Sequence, residues 1–157
     1  MRPRYYHQVV GINSRLDSLQ AAVLNVKLPH LERWIQMRID NAQRYNSMFE
    51  AEGLQEQITL PLTHTPGRHA WNQYVIRVSG GRRDALRSYL QECNIGTEIY
   101  YPIPLHQQAC FTDLGYGPGS LPETEKAAGE TLALPIFPEI TDPEQQYVVQ
   151  KIAAFIR

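Results

Sequence analysis

The chain has 157 residues, 43% of them hydrophobic and 20% charged, with a formal net charge of −1, which is enough to bury a core in a globular protein. This balance leaves no basic footprint for nucleic acid, and no apolar run approaches the roughly 20 residues needed to span a bilayer. The opening Met-Arg-Pro-Arg-Tyr-Tyr-His has no apolar centre of a secretory signal, and Cys93 and Cys110 have no metal-binding spacing, so free thiols in a cytoplasmic protein are expected.

In chain order, the first ten residues read as extended or irregular, and Gly11 breaks whatever precedes it. Ser14 with Asp17 three residues later has the pattern of a capping box, so a helix is expected from about Arg15. Leu16, Leu19, Val23 and Val26 then recur at helical spacing. Pro29 predicts a kink or short break. The pattern resumes through Leu31, Ile35, Ala42, Tyr45 and Phe49 and stops before Gly53. This is one long bent helix, or two in series, of about ten turns. So small a chain cannot bury such a helix along its whole length, which implies that it spans two structural units.

Beyond Gly53 the character changes. Residues 70–78 are β-branched and aromatic and predict a strand. Leu86, Tyr89, Leu90 and Cys93 share one helical face, and Asn94 with Gly96 ends that helix. Residues 97–101 read as the next strand, followed by a loop rich in proline and glycine from Pro102 to Pro122. Ser120 with Glu123, and Pro122 between them, mark a helix reaching about Thr131. A short strand is expected at 132–134. Thr141 with Glu144 is a second capping box, and Val148, Val149, Ile152 and Phe155 form the apolar face of a last helix. Strands separated by helices, too few for a large sheet, predict an α/β fold: a long helix carrying a small α/β sandwich.

Two segments could carry chemistry. Asn13 and Arg15 flank a helix start, where free backbone amides and the helix dipole favour an anion such as phosphate or carboxylate. The plainer alternative is a local backbone bond for Asn13 and a solvated Arg15; on pattern alone it has the advantage. Tyr100 and Tyr101 end a strand and enter a stiff loop carrying His106, a common setting for ligand contacts. Here too the plainer reading, packed tyrosines and a surface histidine, has the edge on pattern alone. His7, His64 and His69 do not combine with acids or cysteines into metal-ligand spacing. Trp34, Trp71 and Tyr74 lie on periodic faces and are expected in the core.

At the same two segments the chain resembles a known family. The run Gly11-Ile12-Asn13-Ser14-Arg15-Leu16-Asp17-Ser18-Leu19-Gln20-Ala21-Ala22 is similar to the G-x-N-x-R-[LM]-[DT]-x-[LI]-Q-A-A signature of the DegT/DnrJ/StrS sugar aminotransferases. Tyr100-Tyr101-Pro102 through Leu105-His106 and Gln108 resembles their Y-Y-P-x-P-L-H-x-Q signature. Leu134-Pro135-Ile136, Pro138 and Thr141 match the family's ending, and Trp71, Tyr74 and Arg77 fit its strand pattern.

The resemblance implies the C-terminal part of an aspartate-aminotransferase-type (fold-type I) enzyme, usually a homodimer. Such enzymes use pyridoxal phosphate to move an amino group from an amino acid, glutamate as a rule, to a nucleotide-linked keto sugar. Residues 1–14 would end the large cofactor domain, 15–53 would form the interdomain helix, and 54–157 would be the small domain. Asn13 would reach the cofactor phosphate of the neighbouring subunit, with Arg15 near that phosphate or the sugar nucleotide. His106, Tyr100 and Tyr101 would sit beside the substrate.

In the family the Schiff-base lysine precedes the G-x-N-x-R segment. The lysines of this chain are three, Lys27, Lys126 and Lys151, all downstream of it. The expectation is a chain without the lysine that holds the cofactor covalently, inactive alone, whether as a truncation, one half of a split enzyme or a remnant. The competing expectation is a non-catalytic module whose long helix binds a partner.

Overall fold

The computed structural model describes residues 5–11, 13, 15–63 and 67–157. Ser14 and His64, used in the reading above, lie outside them. Helix α1 spans Ser18–Lys27 and α2 spans Leu31–Glu52, joined by a 3-10 turn at Leu28–His30 that contains Pro29. The long helix is thus two in series. Its start differs from expectation: the N-cap is Asp17, whose carboxylate accepts from the Gln20 amide at 2.8 Å while the Gln20 side chain turns back to the Asp17 amide. A carboxylate one turn nearer the apolar repeat serves the free amides there and suits the positive helix end.

None of the residues of α1 is buried. In α2, Asn41, Ala42, Tyr45 and Phe49 are buried, so the core begins halfway along the second helix. Gly53 ends α2 in the left-handed conformation (φ 68°), where glycine has no Cβ penalty.

Strands β1 (Ile58–Thr59), β2 (Tyr74–Val78) and β3 (Thr131–Leu134) form an antiparallel sheet in that order. Tyr74 pairs with Leu134 and Arg77 with Thr131, and β1 pairs Ile58 with Val78. Tyr74, Ile76 and Val78 alternate with half-buried Val75 and Arg77, placing one face of β2 in the core. Helices α3 (Arg83–Glu92) and α5 (Asp142–Ile156) pack on each other, α5 packs on α2, and α4 (Pro122–Glu130) lies against β2. On the half-buried face Arg77 pairs with Glu130 at 3.0 Å.

Two strand expectations change. Residues 70–73 stay outside β2, where Trp71 takes a positive φ of 49° that interrupts extended backbone. Residues 97–101 form a single bridge: Glu98 and Ala133 exchange both backbone bonds, at 3.1 and 2.9 Å, on the side of β3 away from β2. Pro102 and Pro104 follow, neither with an N–H to extend the pairing. The third strand is instead the two-residue β1, too short to show a period. The loop at 102–121 is partly ordered into 3-10 turns at Leu105–Gln107 and Ala109–Leu114. Ser120 does not cap α4; Leu121 holds the N-cap position without a side-chain bond.

Helix α5 follows its sequence signals. Thr141 and Glu144 form the reciprocal capping box, and Val148, Val149, Ile152, Ala153 and Ile156 are buried. A polar lock joins α5 to α2: buried Gln145 donates to the Asn41 carbonyl at 2.9 Å and accepts from Arg44 at 2.7 Å. Arg44 also pairs with Asp142 at 2.7 Å. The hydroxyls of Tyr45 and Tyr74 are bonded to the Pro135 carbonyl and the Asn46 side chain. Burial pushes both phenols well above the usual tyrosine range, so neither is a source of protons.

Candidate functional site

From Tyr6 to Asp17 the described residues that lead into α1 are exposed. Asn13 and Arg15 are both exposed. Because Asp17 already accepts from the first turn of α1, an anion at this point would be held by the Asn13 amide and the Arg15 guanidinium themselves. The helix end thus contributes less than its amides alone would, and the exposure of both side chains leaves them available to a group outside the chain.

Tyr100 is half-buried and lines a cleft of about 260 Å³ together with Asn72, Gln73, Thr97 and Glu98. These residues with polar side chains share the lining with Ala133, Leu134, Pro135 and Ile136, beside the Glu98–Ala133 bridge. Tyr101 points away from packing and is 67% exposed. Thus Tyr100 and Tyr101, adjacent in sequence, meet different surroundings.

His106 is not a surface residue. Its side chain is 5% exposed, its Nε2 lies 3.1 Å from Glu125 Oε1, and its Nδ1 is buried without a hydrogen-bond partner. Glu125 also accepts from the Gly119 amide at 2.9 Å through both oxygens and from the Leu121 amide at 3.3 Å. One carboxylate on α4 thus gathers the turn at 117–121 and the 3-10 turn that carries His106. The Tyr116 ring stands edge-on to the imidazole, with centroids 6.4 Å apart. The sequence reading did not single out Glu125, which lies three residues after Pro122 in the first turn of α4, where acidic residues are common.

The Gly119 amide, followed by the His106 ring and the Leu121 amide, holds the Glu125 carboxyl below its ordinary value of 4.5. A lowered folded value means that the interaction is present in full above 4.5 and is lost as the pH falls through the depressed value. Acidification should therefore loosen the loop at 115–121 from about pH 4.5 downward, with no effect near neutrality. Amide resonances of Gly119 and Leu121 followed from pH 7 to 3 should move together in that window, and in Glu125→Gln the movement should vanish. The same movement persisting in the variant would mean that another group governs the loop.

Gln108, the last residue of the second signature, is buried. Its Nε2 donates to the Tyr5 carbonyl and its Oε1 accepts from the His7 amide, both at 2.9 Å. The Cys110 amide donates to the His7 carbonyl at 3.3 Å. The two signatures are thereby joined through the chain that precedes Asn13.

A third feature is apolar. Leu19, Val23, Leu24, Val26 and Leu28 on and just beyond α1 are 52–77% exposed. A groove of about 510 Å³ runs between α1 and α2, lined by Leu16, Leu24, Leu28, Leu31 and Trp34. Trp34 lies on this half-buried groove, whereas Trp71 and Tyr74 are in the core. No helix among the described residues is long and apolar enough to cross a membrane.

A small three-stranded sheet with helices, carried on a long two-part helix, is the architecture of the C-terminal part of a pyridoxal-phosphate aminotransferase of the aspartate-aminotransferase type. The chain belongs to the DegT/DnrJ/EryC1/StrS aminotransferase family, whose model matches residues 1–153. It is 49% identical over 156 residues to the "Pleiotropic regulatory protein" of Geobacillus stearothermophilus, covering 99% of this chain and 41% of that protein. With a dTDP-3-amino-3,4,6-trideoxy-alpha-D-glucose transaminase of Streptomyces venezuelae it shares 37% identity over 151 residues, 96% of this chain and 38% of the relative. Among solved structures, S. venezuelae DesV in complex with a ketimine intermediate superposes with a TM-score of 0.80 at 36% identity, covering 99% of this chain and 40% of that one. The chain therefore spans about two fifths of the length of the relatives it matches.

Proposed function

We propose that this chain is the small-domain part of an aminotransferase that moves an amino group from an amino acid, glutamate in particular, to a nucleotide-linked keto sugar. The observation that carries the reading is the pairing of family membership with exposed Asn13 and Arg15 ahead of an α1 that buries none of its residues. Residues 1–14 would then close the cofactor domain, 15–53 join the two domains, and 54–157 form the small domain. The exposed apolar face of α1 would be covered by the cofactor domain or by a second subunit in a homodimer.

Pyridoxal phosphate, when bound, supplies the electron sink that lets an amino group leave one substrate and enter another. The residues here fit its phosphate. The Asn13 amide would donate to a phosphate oxygen of the neighbouring subunit's cofactor, and the Arg15 guanidinium would pair with the same phosphate or with the sugar nucleotide. Tyr100, in the polar cleft with Asn72, Gln73 and Glu98, would orient the substrate, with exposed Tyr101 at its edge. The His106–Glu125 pair would hold the loop that follows these tyrosines beside the substrate, and the buried Nδ1 would meet a substrate group only if that loop shifts.

The lysines do not fit covalent attachment. Lys27 and Lys126 are exposed, and Lys151 is half-buried over the Tyr147 ring at 5.2 Å. A lysine that attacks a carbonyl needs a desolvated setting that lowers its pKa, and none of the three lies in one. Borohydride treatment after incubation with pyridoxal phosphate should leave no single lysine stoichiometrically modified, and the chain alone should show no transamination. Joined to a cofactor domain that supplies the lysine, it should turn over. One uniquely modified lysine with turnover by the chain alone would overturn the reading.

The exposed face of α1 also favours a second reading, a non-catalytic module that uses that face to bind a partner. Absence of turnover after joining to a competent cofactor domain would favour it.

A further inference from the structure

Asn13 and Arg15 lie on a surface segment, and the ends of that segment are fixed in different ways. At one end Asp17 caps α1 through its own side chain. At the other, the backbone of residues 5–7 is held by Gln108 and Cys110, which come from the loop after Tyr100 and Tyr101. Gln108 is 5% exposed, and its amide faces two backbone groups of opposite character. Its Nε2 donates to the Tyr5 carbonyl and its Oε1 accepts from the His7 amide, two roles that a primary amide carries on separate atoms of one planar group. Tyr5 itself has a φ of 69°, a left-handed conformation that is costly for a residue with a Cβ. The bond from Gln108 to its carbonyl helps to hold it there.

We propose that Gln108 is a positioning residue that sets the Asn13–Arg15 segment from the substrate loop, so that the two ends of the site are held by one side chain. The proposal rests on reading Asn13 and Arg15 as a phosphate clamp. Gln108 does not touch phosphate or substrate. It fixes the chain ten residues ahead of the Asp17 cap, and it is anchored in the loop that follows Tyr100. Any displacement of that loop would be passed to the clamp through the pair of bonds, and loss of the bonds would weaken the hold on residues 5–7, which would keep the Cys110–His7 backbone bond.

The test uses the full 157-residue chain, by amide hydrogen exchange and NMR. In Gln108→Leu the His7 and Cys110 amides should exchange roughly fivefold to tenfold faster, the scale set by one net intramolecular hydrogen bond. The resonances of Asn13 and Arg15 should broaden or shift, while exchange in β2 and β3 stays as in the wild type. Gln108→Glu is the second variant. Its carboxylate keeps an acceptor for His7 but sets an oxygen against the Tyr5 carbonyl, whereas its protonated form again offers one donor and one acceptor. Wild-type signals at residues 5–15 should return as that carboxyl is protonated. The wild type over the same pH range is the control for titration of His7, His106 and Glu125.

Unchanged exchange at His7 in Gln108→Leu, or no recovery of Gln108→Glu on acidification, would overturn the proposal. So would faster exchange spread through β2 and β3, which would make Gln108 a packing residue. Titration with inorganic phosphate separates this from the parent reading. Perturbation of Asn13 and Arg15 by phosphate in the wild type, weakened in Gln108→Leu, is the expected result. If phosphate leaves both residues unmoved while the exchange results hold, the clamp reading fails and the positioning of the segment stands.

Discussion

Replacing Arg15 with alanine in a dimeric enzyme built from this chain and a cofactor domain is expected to weaken cofactor retention about 10-fold to 100-fold. A hydrogen bond to a charged group contributes roughly 1.5–3 kcal/mol, and 1.36 kcal/mol corresponds to a factor of ten. Arg15 is exposed and has no role in the core, so the loss should appear without a fall in stability. Asn13→Ala should act in the same direction, because its amide would donate to the same oxygens. The effects of the two should not simply add, since both would serve one anion. Equilibrium dialysis of pyridoxal phosphate against each variant gives the measurement. Retention equal to the wild type in both variants would place the phosphate elsewhere. Mixed dimers give a finer check: if the clamp acts across subunits, a protomer carrying Arg15→Ala should impair its neighbour's cofactor and leave its own in place.

Ile152→Ala is expected to cost about 2–5 kcal/mol, the usual range for removing a buried branched side chain. Ile152 is 0% exposed, in the middle of α5, within the cluster that includes Tyr45, Ile76, Leu86 and Leu90. A typical domain is stable by only about 5–15 kcal/mol, so a large share of the folded population is at risk. With a urea slope of roughly 1–3 kcal/mol per molar, the midpoint should fall by about 1 M or more. Leu19→Ala is the matched contrast. It also removes a branched aliphatic side chain, but Leu19 is 77% exposed, so the change should stay within about 0.5 kcal/mol. If the two substitutions cost the same, either α1 is packed or α5 is not, contrary to the arrangement found here.

Those two residues also show what a sequence can say about burial. Leu19 and Ile152 both sit on amphipathic helices with good apolar periodicity. The reading that the long helix could not be buried throughout by this chain came from length against chain size, and α1 has no buried residue. The position where burial begins, at Asn41 in the second helix, depends on where α5 crosses it. The Gln145–Asn41–Arg44 lock fixes that crossing.

Local signals served best where the stabilising groups are close in sequence. The Thr141–Glu144 box, the break at Pro29 and the stop at Gly53 each depend on atoms within about one helical turn, and each is found where it was expected. The displaced start of α1 is also local: Asp17 provides the cap because its carboxylate meets the Gln20 amide.

Strands were harder. β1 is two residues long and exists only because β2 supplies its partners. The extended run at 97–101 has strand composition, yet it pairs through one residue before Pro102 ends the ladder.

The sequence by itself determined the family, the α/β class, most helix limits and the candidate residues Asn13, Arg15, Tyr100, Tyr101 and His106. Those features rest on local patterning or on ordered motifs that survive without coordinates. Only the tertiary structure decided how the candidates are set. Asn13 and Arg15 stand free while Tyr100 faces a polar cleft, and His106 is turned inward onto Glu125. Gln108 reaches residues 101 and 103 positions away to fasten the segment ahead of the clamp. Its two bonds join stretches that come together only after the helices and sheet have packed, and a pairing at that separation leaves no period, cap or spacing to read.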